Sequence, residues 1–216
     1  MHVFLVRHAQ STTNVRWDRK NQNGELTDLG NQQAAALRDW LRDRELTADV
    51  IYASTMVRTQ QTAKYVSEAF GLPIQLDDRI REIGTAYASA EPIEDADLPG
   101  VYNPHYPNID PFSPRGIDMP ESESWVQFRA RLGRFFEDLI AKHKGEVVYV
   151  VAHAGVIAAT FENLFNSGVY RHCDVFVDHT SWTYFQHMAN SKREQWYLRA
   201  HNRVDHLIAA GMDYHI

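Results

Sequence analysis

Residues 147–151 constrain the fold most, because five consecutive apolar residues, four of them valine, stand there without interruption. Such a run is typical of a central strand in a parallel sheet, which helices cover on both faces. A shorter run, Val3–Val6, leads directly into Arg7 and His8, and His153 follows the first run. Ligands bind beyond the carboxyl ends of strands in open α/β sheets. We therefore expect both histidines at a ligand-binding edge. The alternative is that Arg7 and His8 only cap a strand at the surface.

Helical and strand periodicities follow one another along the chain, whose 216 residues fit a single domain. Thr27 is expected to cap the first long helix, although a position in a pocket is the other interpretation. The polar segment 14–24 is expected to be a loop. The predicted helices cover residues 28–44, 56–70, 124–144 and 156–165, and the further predicted strands cover residues 50–52, 74–76, 181–187 and 195–201.

Charge and cysteine usage argue against several classes of protein. A net charge of −6 gives no sign of a nucleic-acid-binding surface, so no nucleic-acid partner is expected. The single cysteine, Cys173, can form no internal disulfide, which fits a reducing cytoplasm. No apolar run approaches the ~20 residues that span a membrane, and Arg7 interrupts the first run too early for a signal peptide. We expect a cytoplasmic protein that has no membrane partner.

Residues 85–124 differ in composition from the rest of the chain. They hold seven of the eight prolines, and they carry eight acidic residues against one basic residue, Arg115, which gives a net charge of −7. Proline fixes φ and removes a backbone donor, so neither a regular helix nor a central strand is expected here. Long segments of this kind in compact domains are usually lids or binding loops. We expect a mostly irregular lid insertion within the single domain 1–216.

Five residues at predicted strand ends and at one helix start form a chemically coherent set. They are Arg7, His8, Arg58, Glu82 and His153. Phosphoryl transfer spreads negative charge over three equatorial oxygens, so fixed cations can provide most of the catalysis. A histidine nitrogen can attack phosphorus, while a carboxylic acid can protonate the leaving oxygen and then activate water. The set therefore predicts phosphoryl transfer without a metal ion.

Motifs around these residues follow one another from residue 3 to about residue 207. In order they read Arg-His-x-x-Ser-x-x-Asn, Leu-Thr-x-x-Gly-x-x-Gln-Ala, Ser-x-x-x-Arg-x-x-Gln-Thr-Ala, Ile-x-Glu, Ser-Glu-Ser, His-Ala-Gly and Asn-x-x-x-His-Leu. With these motifs the chain resembles the histidine phosphatase superfamily, the phosphoglycerate-mutase-like group. The matching positions include Arg7, His8, Ser11, Asn14, Leu26, Thr27, Gly30, Gln33, Ala34, Ser54, Arg58, Gln61, Thr62, Ala63, Ile80, Glu82, Ser122, Glu123, Ser124, His153 and Gly155.

The resemblance implies a role for each of the five residues. His8 would be the phosphorylated nucleophile and Glu82 the proton donor. Arg7, Arg58 and His153 would hold the phosphoryl oxygens. No metal and no other cofactor is implied; the partner is a small phosphorylated substrate, and a homodimer is left open. Further phosphate-binding or substrate-binding positions are expected at Ser11, Asn14, Gln22, Arg115 and Ala154.

The fold that the resemblance implies is a three-layer α/β/α arrangement with a mixed, mostly parallel sheet and the insert over the active site. Two departures from the family pattern affect that site. Ala9 and Ala154 stand where the family has glycine, and alanine would be strained at a positive φ. The polar loop 14–26 is shorter than the family pattern, and Gln22 is the nearest candidate for the family's phosphate-binding glutamine.

Two other functions remain as alternatives. A mutase of this family has Arg-His-Tyr after the catalytic glutamate, where this chain has Ile83 and Gly84, and the insert offers only Arg115 for a second anionic group. A phosphatase is therefore favoured, acting on monophosphates with neutral or apolar bodies rather than on bisphosphates and phosphoglycerates. A regulatory domain without catalysis would typically lack one of the five residues, and all are present. His179 to Ser181 either face the pocket or have a capping or core role.

Overall fold

Six strands form one mixed sheet with helices on both faces in the computed structural model of the chain. The structure describes residues 1–16, 22–44, 46–86, 91, 110–116, 119–168, 175–189 and 194–214. The helices are α1 (Thr12–Val15), α2 (Asp28–Asp43), α3 (Val57–Phe70), α4 (Trp125–Lys142), α5 (Ala154–Leu164) and α6 (Asp205–Ala209), and a 3₁₀ turn covers Asp78–Ile80. The strands are β1 (His2–Arg7), β2 (Val50–Ala53), β3 (Ile74–Leu76), β4 (Pro114–Gly116), β5 (Met119–Ser124), β6 (Val147–Ala152), β7 (Trp182–Ala189) and β8 (Glu194–Arg203).

The main sheet has the strand order β3-β2-β6-β1-β7-β8. The first four strands in this order run parallel to one another. β7 and β8 add two antiparallel strands at one edge. The apolar strand β6 lies between β2 and β1, which is the central parallel position that its sequence predicts. A mixed, mostly parallel sheet is therefore confirmed.

The central strands contribute side chains to two buried clusters, because successive residues of a strand point to opposite faces of the sheet. Val3 and Leu5 of β1 belong to one cluster, together with Phe128 of α4 and residues of α5. Val6 belongs to the other cluster, together with Leu37 of α2 and residues of α3. Each face of the sheet thus buries apolar helix surfaces. The three-layer α/β/α architecture expected from the sequence is confirmed.

Helix α2 fixes the segment that follows β1. Thr27 is the N-cap of this helix, and its hydroxyl oxygen accepts a hydrogen bond from the Gly30 N–H at 3.0 Å, so the predicted cap is confirmed. The same hydroxyl donates to the side-chain oxygen of Gln10 at 2.8 Å. Gln33, one turn further along the helix, accepts from the Gln10 N–H at 3.0 Å. The residues just beyond the end of β1 are therefore held by side chains of α2.

Two segments contain more helix than the sequence predicts. A single turn, α1, occupies residues 12–15, where a loop is expected from residue 14 onward. At its start the Asn14 side-chain oxygen accepts from the N–H of the N-cap residue Ser11, which is one half of a capping box and a local signal that favours a helix start. α5 begins at Ala154, earlier than the predicted residue 156, because His153 has an extended backbone and serves as the N-cap. The histidine and the helix start are thus adjacent.

The insert expected at residues 85–124 is not irregular at its end. β4 and β5 pair antiparallel in a separate two-stranded sheet, and the last residue of β5, Ser124, caps α4. Both strands are edge strands, where proline is tolerated, and Pro114 is the first residue of β4. Residues 87–90 and 92–109, the greater part of the expected lid, lie outside the described residues. A lid over the site therefore stays a prediction.

Candidate active site

The parallel pairing of β1 with β6 brings two histidines together. Arg7 and Ala152 are partners at the ends of these strands, and the next residues are His8 and His153. The His8 N–H donates to the Ala152 carbonyl at 2.9 Å, so the pairing continues to the histidine itself. Their ring centres lie 5.3 Å apart, and both side chains are buried. The expectation that both strand ends meet at one edge is met.

The His8 ring is held in one tautomer by its hydrogen bonds. Its Nδ1 lies 2.7 Å from the Ala9 carbonyl oxygen, which can only accept, so Nδ1 carries the proton. Nε2 therefore has a lone pair, and it accepts a hydrogen bond from the Nε–H of Arg58 at 3.1 Å. The atom of His8 that faces the arginine is the atom that can act as a nucleophile.

Arg58 connects the two histidines from the first turn of α3. Besides its bond to His8, its Nη2 donates to Nδ1 of His153 at 3.2 Å. Its Nη1 donates to the Gln22 carbonyl at 3.0 Å. The start of α3 is fixed in turn by the Asn23 side-chain oxygen, which accepts from the Val57 N–H at 2.8 Å. One guanidinium group thus donates hydrogen bonds to both imidazole rings.

Burial and nearby positive charge keep both imidazoles neutral. Burial, first, and then the Arg58 guanidinium hold the pKa of His8 well below its ordinary value of 6.5. The pKa of His153 is held well below 6.5 by burial, with Arg58 and Arg81 adding to the effect. Desolvation disfavours the charged form of an imidazole. At neutral pH the Nε2 lone pair of His8 is therefore available.

Glu82 lies at the start of α5, beside the second histidine. Its Oε2 accepts a hydrogen bond from the Gly155 N–H at 3.3 Å, and its Oε1 accepts from the Ile83 N–H at 3.0 Å. A Cβ atom at position 155 would overlap Oε1, so only glycine lets the carboxylate approach the helix end. Gly84 has a φ of 75°, a left-handed conformation that favours glycine and turns the loop after Glu82.

A buried ion pair holds the segment that carries Glu82. Arg131 of α4 donates through Nε to Glu123 Oε2 at 2.9 Å, and both side chains are about 1% exposed. Its Nη1 donates to the carbonyl oxygens of Asp78, Arg79 and Arg81, at 3.2, 2.7 and 3.3 Å. The arginine therefore ties the 3₁₀ turn to α4. Neither Arg131 nor a role for Glu123 is predicted from the sequence, because neither residue is near the predicted strand ends.

Arg7 approaches the same edge from β1. Its Nη1 donates to the Val177 carbonyl at 2.6 Å. Burial lowers the pKa of Arg7 from its ordinary value, and the nearby carboxylates of Glu82 and Asp178 partly oppose that shift. A fixed cation next to Glu82 and His8 fits the expectation for Arg7. All five residues of the predicted set are therefore brought together at the ends of β1 and β6.

The other predicted positions differ in what they contribute. Asn14 uses its side-chain oxygen to accept from the N–H and the hydroxyl of Ser11, at 3.0 and 2.7 Å. Ser11 is buried and Asn14 is exposed, so the hydroxyl organises the turn and the amide NH₂ is the group able to face a ligand. The Gln22 Nε2 is buried without a hydrogen-bond partner among the described residues. Ala154 supplies a backbone N–H in the first turn of α5. The expectation for Arg115 stays a prediction, because its side chain is not among the groups that the structure describes.

Neither alanine that replaces a family glycine is strained. Among the described residues, the non-glycine positions with a positive φ are Asn166, Thr180 and Asn202. Ala9 is buried, and its N–H donates to the Thr62 hydroxyl at 3.0 Å. Ala154 is the first helical residue of α5. The substitutions therefore add a methyl group to the wall of the site without a backbone penalty.

Ser54 and Thr62 position the site, although the sequence analysis gave them no function in it. Ser54 lies after β2, and its hydroxyl oxygen is 3.0 Å from Nε2 of His153. Because Nδ1 of that ring accepts from Arg58, Nε2 carries the proton and donates to Ser54. Thr62 anchors the residue after His8. Both residues belong to the motif that contains Arg58, and this membership is the feature of the sequence that could have indicated their role in the site.

The described residues offer no conventional metal site. No group of three or more histidine, cysteine, aspartate or glutamate side chains within the described ranges is arranged to hold a metal ion. No helix in the part of the chain described here is long and apolar enough to cross a membrane. The arrangement instead combines a neutral nucleophilic nitrogen, fixed guanidinium groups and a carboxyl group. It can attack an electrophile, stabilise developing negative charge and transfer a proton.

Comparisons with known proteins agree with this geometry. The sequence model described as the histidine phosphatase superfamily (branch 1) matches residues 3–203. The chain is 29% identical over 206 residues to a protein named putative phosphoserine phosphatase 2 from Hydrogenobacter thermophilus, covering 91% of this chain and 94% of that one. It is 28% identical to a probable phosphoglycerate mutase from Yersinia enterocolitica, over 76% of this chain and 74% of that one. A mycobacterial glucosyl-3-phosphoglycerate phosphatase solved with VO3 is 26% identical, with a TM-score of 0.68 and coverage of 93% and 98%.

The buried neutral histidines predict that acid destabilises the fold. Burial lowers the pKa of His179 to about 3 and that of His206 to about 4, and those of His8 and His153 lie well below 6.5. In the unfolded chain each of these histidines takes up a proton as the pH falls through about 6.5. In the folded chain the same histidines stay neutral at that pH. The contribution of these groups to the free energy of unfolding is therefore fully present above pH 6.5. Below that pH, each histidine lowers the free energy of unfolding by up to about 1.4 kcal/mol per pH unit until the pH reaches its folded pKa.

Urea unfolding at pH 7.5, 6.5 and 5.5 checks this expectation. The free energy of unfolding should fall mainly between the two lower values. In His206→Gln, whose amide can still form a hydrogen bond with Thr180, the free energy of unfolding should fall less steeply with pH, because one titrating histidine has been removed. A free energy that stays constant from pH 7.5 to pH 5.5 would contradict the neutral state of these side chains.

Proposed function

The chain belongs to the histidine phosphatase superfamily, and from that premise we propose that it hydrolyses small phosphomonoesters through a phosphohistidine on His8. The observation that carries the proposal is the hydrogen bond from Nδ1 of His8 to the Ala9 carbonyl. It leaves Nε2 unprotonated beside the Arg58 guanidinium, with the His153 ring 5.3 Å from that of His8. The reaction is proposed to need no metal ion, because the guanidinium groups supply the positive charge.

In the first step the Nε2 lone pair of His8 attacks phosphorus and the bond from phosphorus to the leaving oxygen breaks. The Nε–H of Arg58 turns from His8 to a phosphoryl oxygen, and Arg7 and His153 supply further contacts to these oxygens. Glu82, in its acid form, gives its proton to the leaving oxygen. The alcohol leaves neutral, and the phosphoryl group remains on His8.

In the second step water attacks the same phosphorus. Glu82, now a carboxylate, accepts a proton from the water, and the bond from phosphorus to Nε2 breaks. Inorganic phosphate leaves, His8 returns to its neutral tautomer and Glu82 regains its proton. One carboxyl group thus serves both steps, first as acid and then as base. The Gly155 N–H, 3.3 Å from Oε2, keeps that carboxyl group in place.

The substrate class is proposed from the site and from the names of the relatives. Phosphoserine and glucosyl-3-phosphoglycerate, the compounds in two of those names, each carry one phosphate and also a carboxylate, so the names support a monophosphate and do not support a neutral body. The acidic segment 85–124, with its charge of −7, disfavours a second phosphate on the substrate. From the charge of this segment we propose monophosphates with neutral or apolar bodies as the preferred substrates, and bisphosphates and phosphoglycerates as poor ones.

A phosphoglycerate mutase is the second candidate, since one relative carries the name probable phosphoglycerate mutase. A mutase must hold a carboxylate and a second phosphate besides the transferred group. In this chain Ile83 and Gly84 follow Glu82, and both are uncharged and buried. Those positions supply no cation for the extra anions, which favours hydrolysis. A binding domain without catalysis is the third candidate, and the complete set of five residues argues against it.

The first prediction of the proposed function is that the purified chain releases inorganic phosphate from p-nitrophenyl phosphate and from small alkyl and sugar monophosphates. The rate should be unchanged by a metal chelator. His8→Asn should abolish turnover, while His187→Asn, a buried histidine on β7 away from the site, should not. Interconversion of phosphoglycerates without phosphate release would identify a mutase. Binding of vanadate without any turnover would identify a non-catalytic domain.

The second prediction concerns the proton donor. Glu82→Gln should lower kcat/KM by about 10²–10⁴-fold for alkyl phosphates and far less for p-nitrophenyl phosphate, whose leaving group needs little protonation. Gly155→Ala should show the same leaving-group dependence, because the new methyl group displaces the carboxylate. Gly133→Ala, where the added atom meets only the Asn163 side-chain nitrogen at an ordinary contact distance of 3.9 Å, is the matched control and should leave kcat/KM unchanged. Equal losses on both substrates would assign the acid to another residue.

A further inference from the structure

A tight turn before β7 lies directly against Arg7 and His8. The Ser181 N–H donates to the Asp178 carbonyl at 3.1 Å, which closes the turn. The Arg7 N–H donates to the Ser181 carbonyl at 3.1 Å, and the Thr180 N–H donates to the Arg7 carbonyl at 3.1 Å. His179 is the second residue of this turn. Its backbone position is therefore set by the strand end that carries the nucleophile.

The turn is held in a strained conformation by side chains on both sides. Thr180 has a φ of 57°, which is uncommon for a β-branched residue. Its hydroxyl lies 2.8 Å from Nε2 of His206. Asn202, also at a positive φ, accepts from the Asp178 N–H at 2.7 Å and donates to its carboxylate at 2.8 Å. Strain that several contacts maintain is typical of functional sites.

The His179 ring lies beside that of His8, and none of the described residues forms a hydrogen bond with it. Its centre lies 5.9 Å from that of His8, and the residue is 6% exposed. Nε2 is buried without a partner among the described residues. Burial and the nearby Arg7 lower its pKa to about 3, so the ring is neutral. A buried polar group without a partner is costly, and a bound ligand atom would remove that cost.

We propose that His179 donates a hydrogen bond to a nonbridging oxygen of the phosphoryl group that is transferred to His8. The proposal rests on the proposed function and adds to it a third imidazole that touches the substrate. Phosphoryl oxygens only accept hydrogen bonds, and a neutral imidazole has one N–H to donate. His179 thus supplies a donor without a further positive charge next to the two arginines. The strained turn fixes the His179 ring next to the ring of His8.

The experiment replaces His179 by residues that separate ring shape from hydrogen bonding. His179→Phe keeps a planar ring and removes the donor. His179→Asn places an amide N–H near Nδ1, and His179→Gln places one near Nε2. His187→Phe is the control, since His187 is a buried histidine on β7 at the opposite end of the sheet from the turn. The readouts are kcat/KM for p-nitrophenyl phosphate, the inhibition constant of inorganic phosphate and the melting temperature.

We expect His179→Phe to lower kcat/KM by about 10- to 100-fold and to weaken inhibition by phosphate, the loss expected for one bond to a charged group. Its melting temperature should be equal to that of the wild type or higher, because an unpartnered polar group has been removed. Asn or Gln should retain activity within about threefold. A role in packing alone would instead lower the melting temperature of all three variants.

Wild-type kinetics in His179→Phe, or equal damage in the Phe, Asn and Gln variants, would overturn the assignment of His179. A wild-type chain that releases no phosphate from any monoester would overturn the proposed function instead. In that case calorimetry with inorganic phosphate still decides the question for His179. Weaker binding by His179→Phe than by the wild type supports the contact, and equal or undetectable binding by both excludes it.

Discussion

The register between β1 and β6 is the constraint on which the candidate site depends. Because Arg7 pairs with Ala152, the next residue on each strand is a histidine, and the two rings meet at 5.3 Å. A slip of one residue would turn every side chain of β1 to the opposite face of the sheet. The apolar clusters on both faces oppose such a slip. Packing in the core therefore determines the geometry of the chemistry.

The site buries polar groups, and their partners come from every layer of the fold. Arg58 reaches both histidines from α3, while side chains of α2 fix the segment after β1. Arg131 of α4 anchors the carbonyl groups ahead of Glu82. Breaking a buried ion pair such as that between Arg131 and Glu123 typically costs about 3–5 kcal/mol. The helices thus position charged groups that the sheet alone would leave unsupported.

The sequence predicts the parts of this site that depend on local pattern. His8 and His153 follow apolar runs, Arg58 stands at a helix start, and the alternating elements give the fold class. The contacts of Arg131 with residues 78–81 could not be predicted, because they join segments far apart in the chain. The same holds for His179, whose position depends on contacts of its turn with β1 and with residues 202–206. Periodicity carries no information about such pairings.

The most direct test is to identify the atom that carries the phosphoryl group during turnover. Glu82→Gln, in which the second step is slowed, can be mixed with p-nitrophenyl phosphate and quenched without acid. Peptide mass spectrometry then locates the modified residue, and ³¹P NMR distinguishes the two ring nitrogens. We expect phosphorylation at Nε2 of His8, because Nδ1 is bound to the Ala9 carbonyl. Phosphorylation of His153, of Nδ1, or of no residue in a chain that still turns over substrate would contradict this assignment.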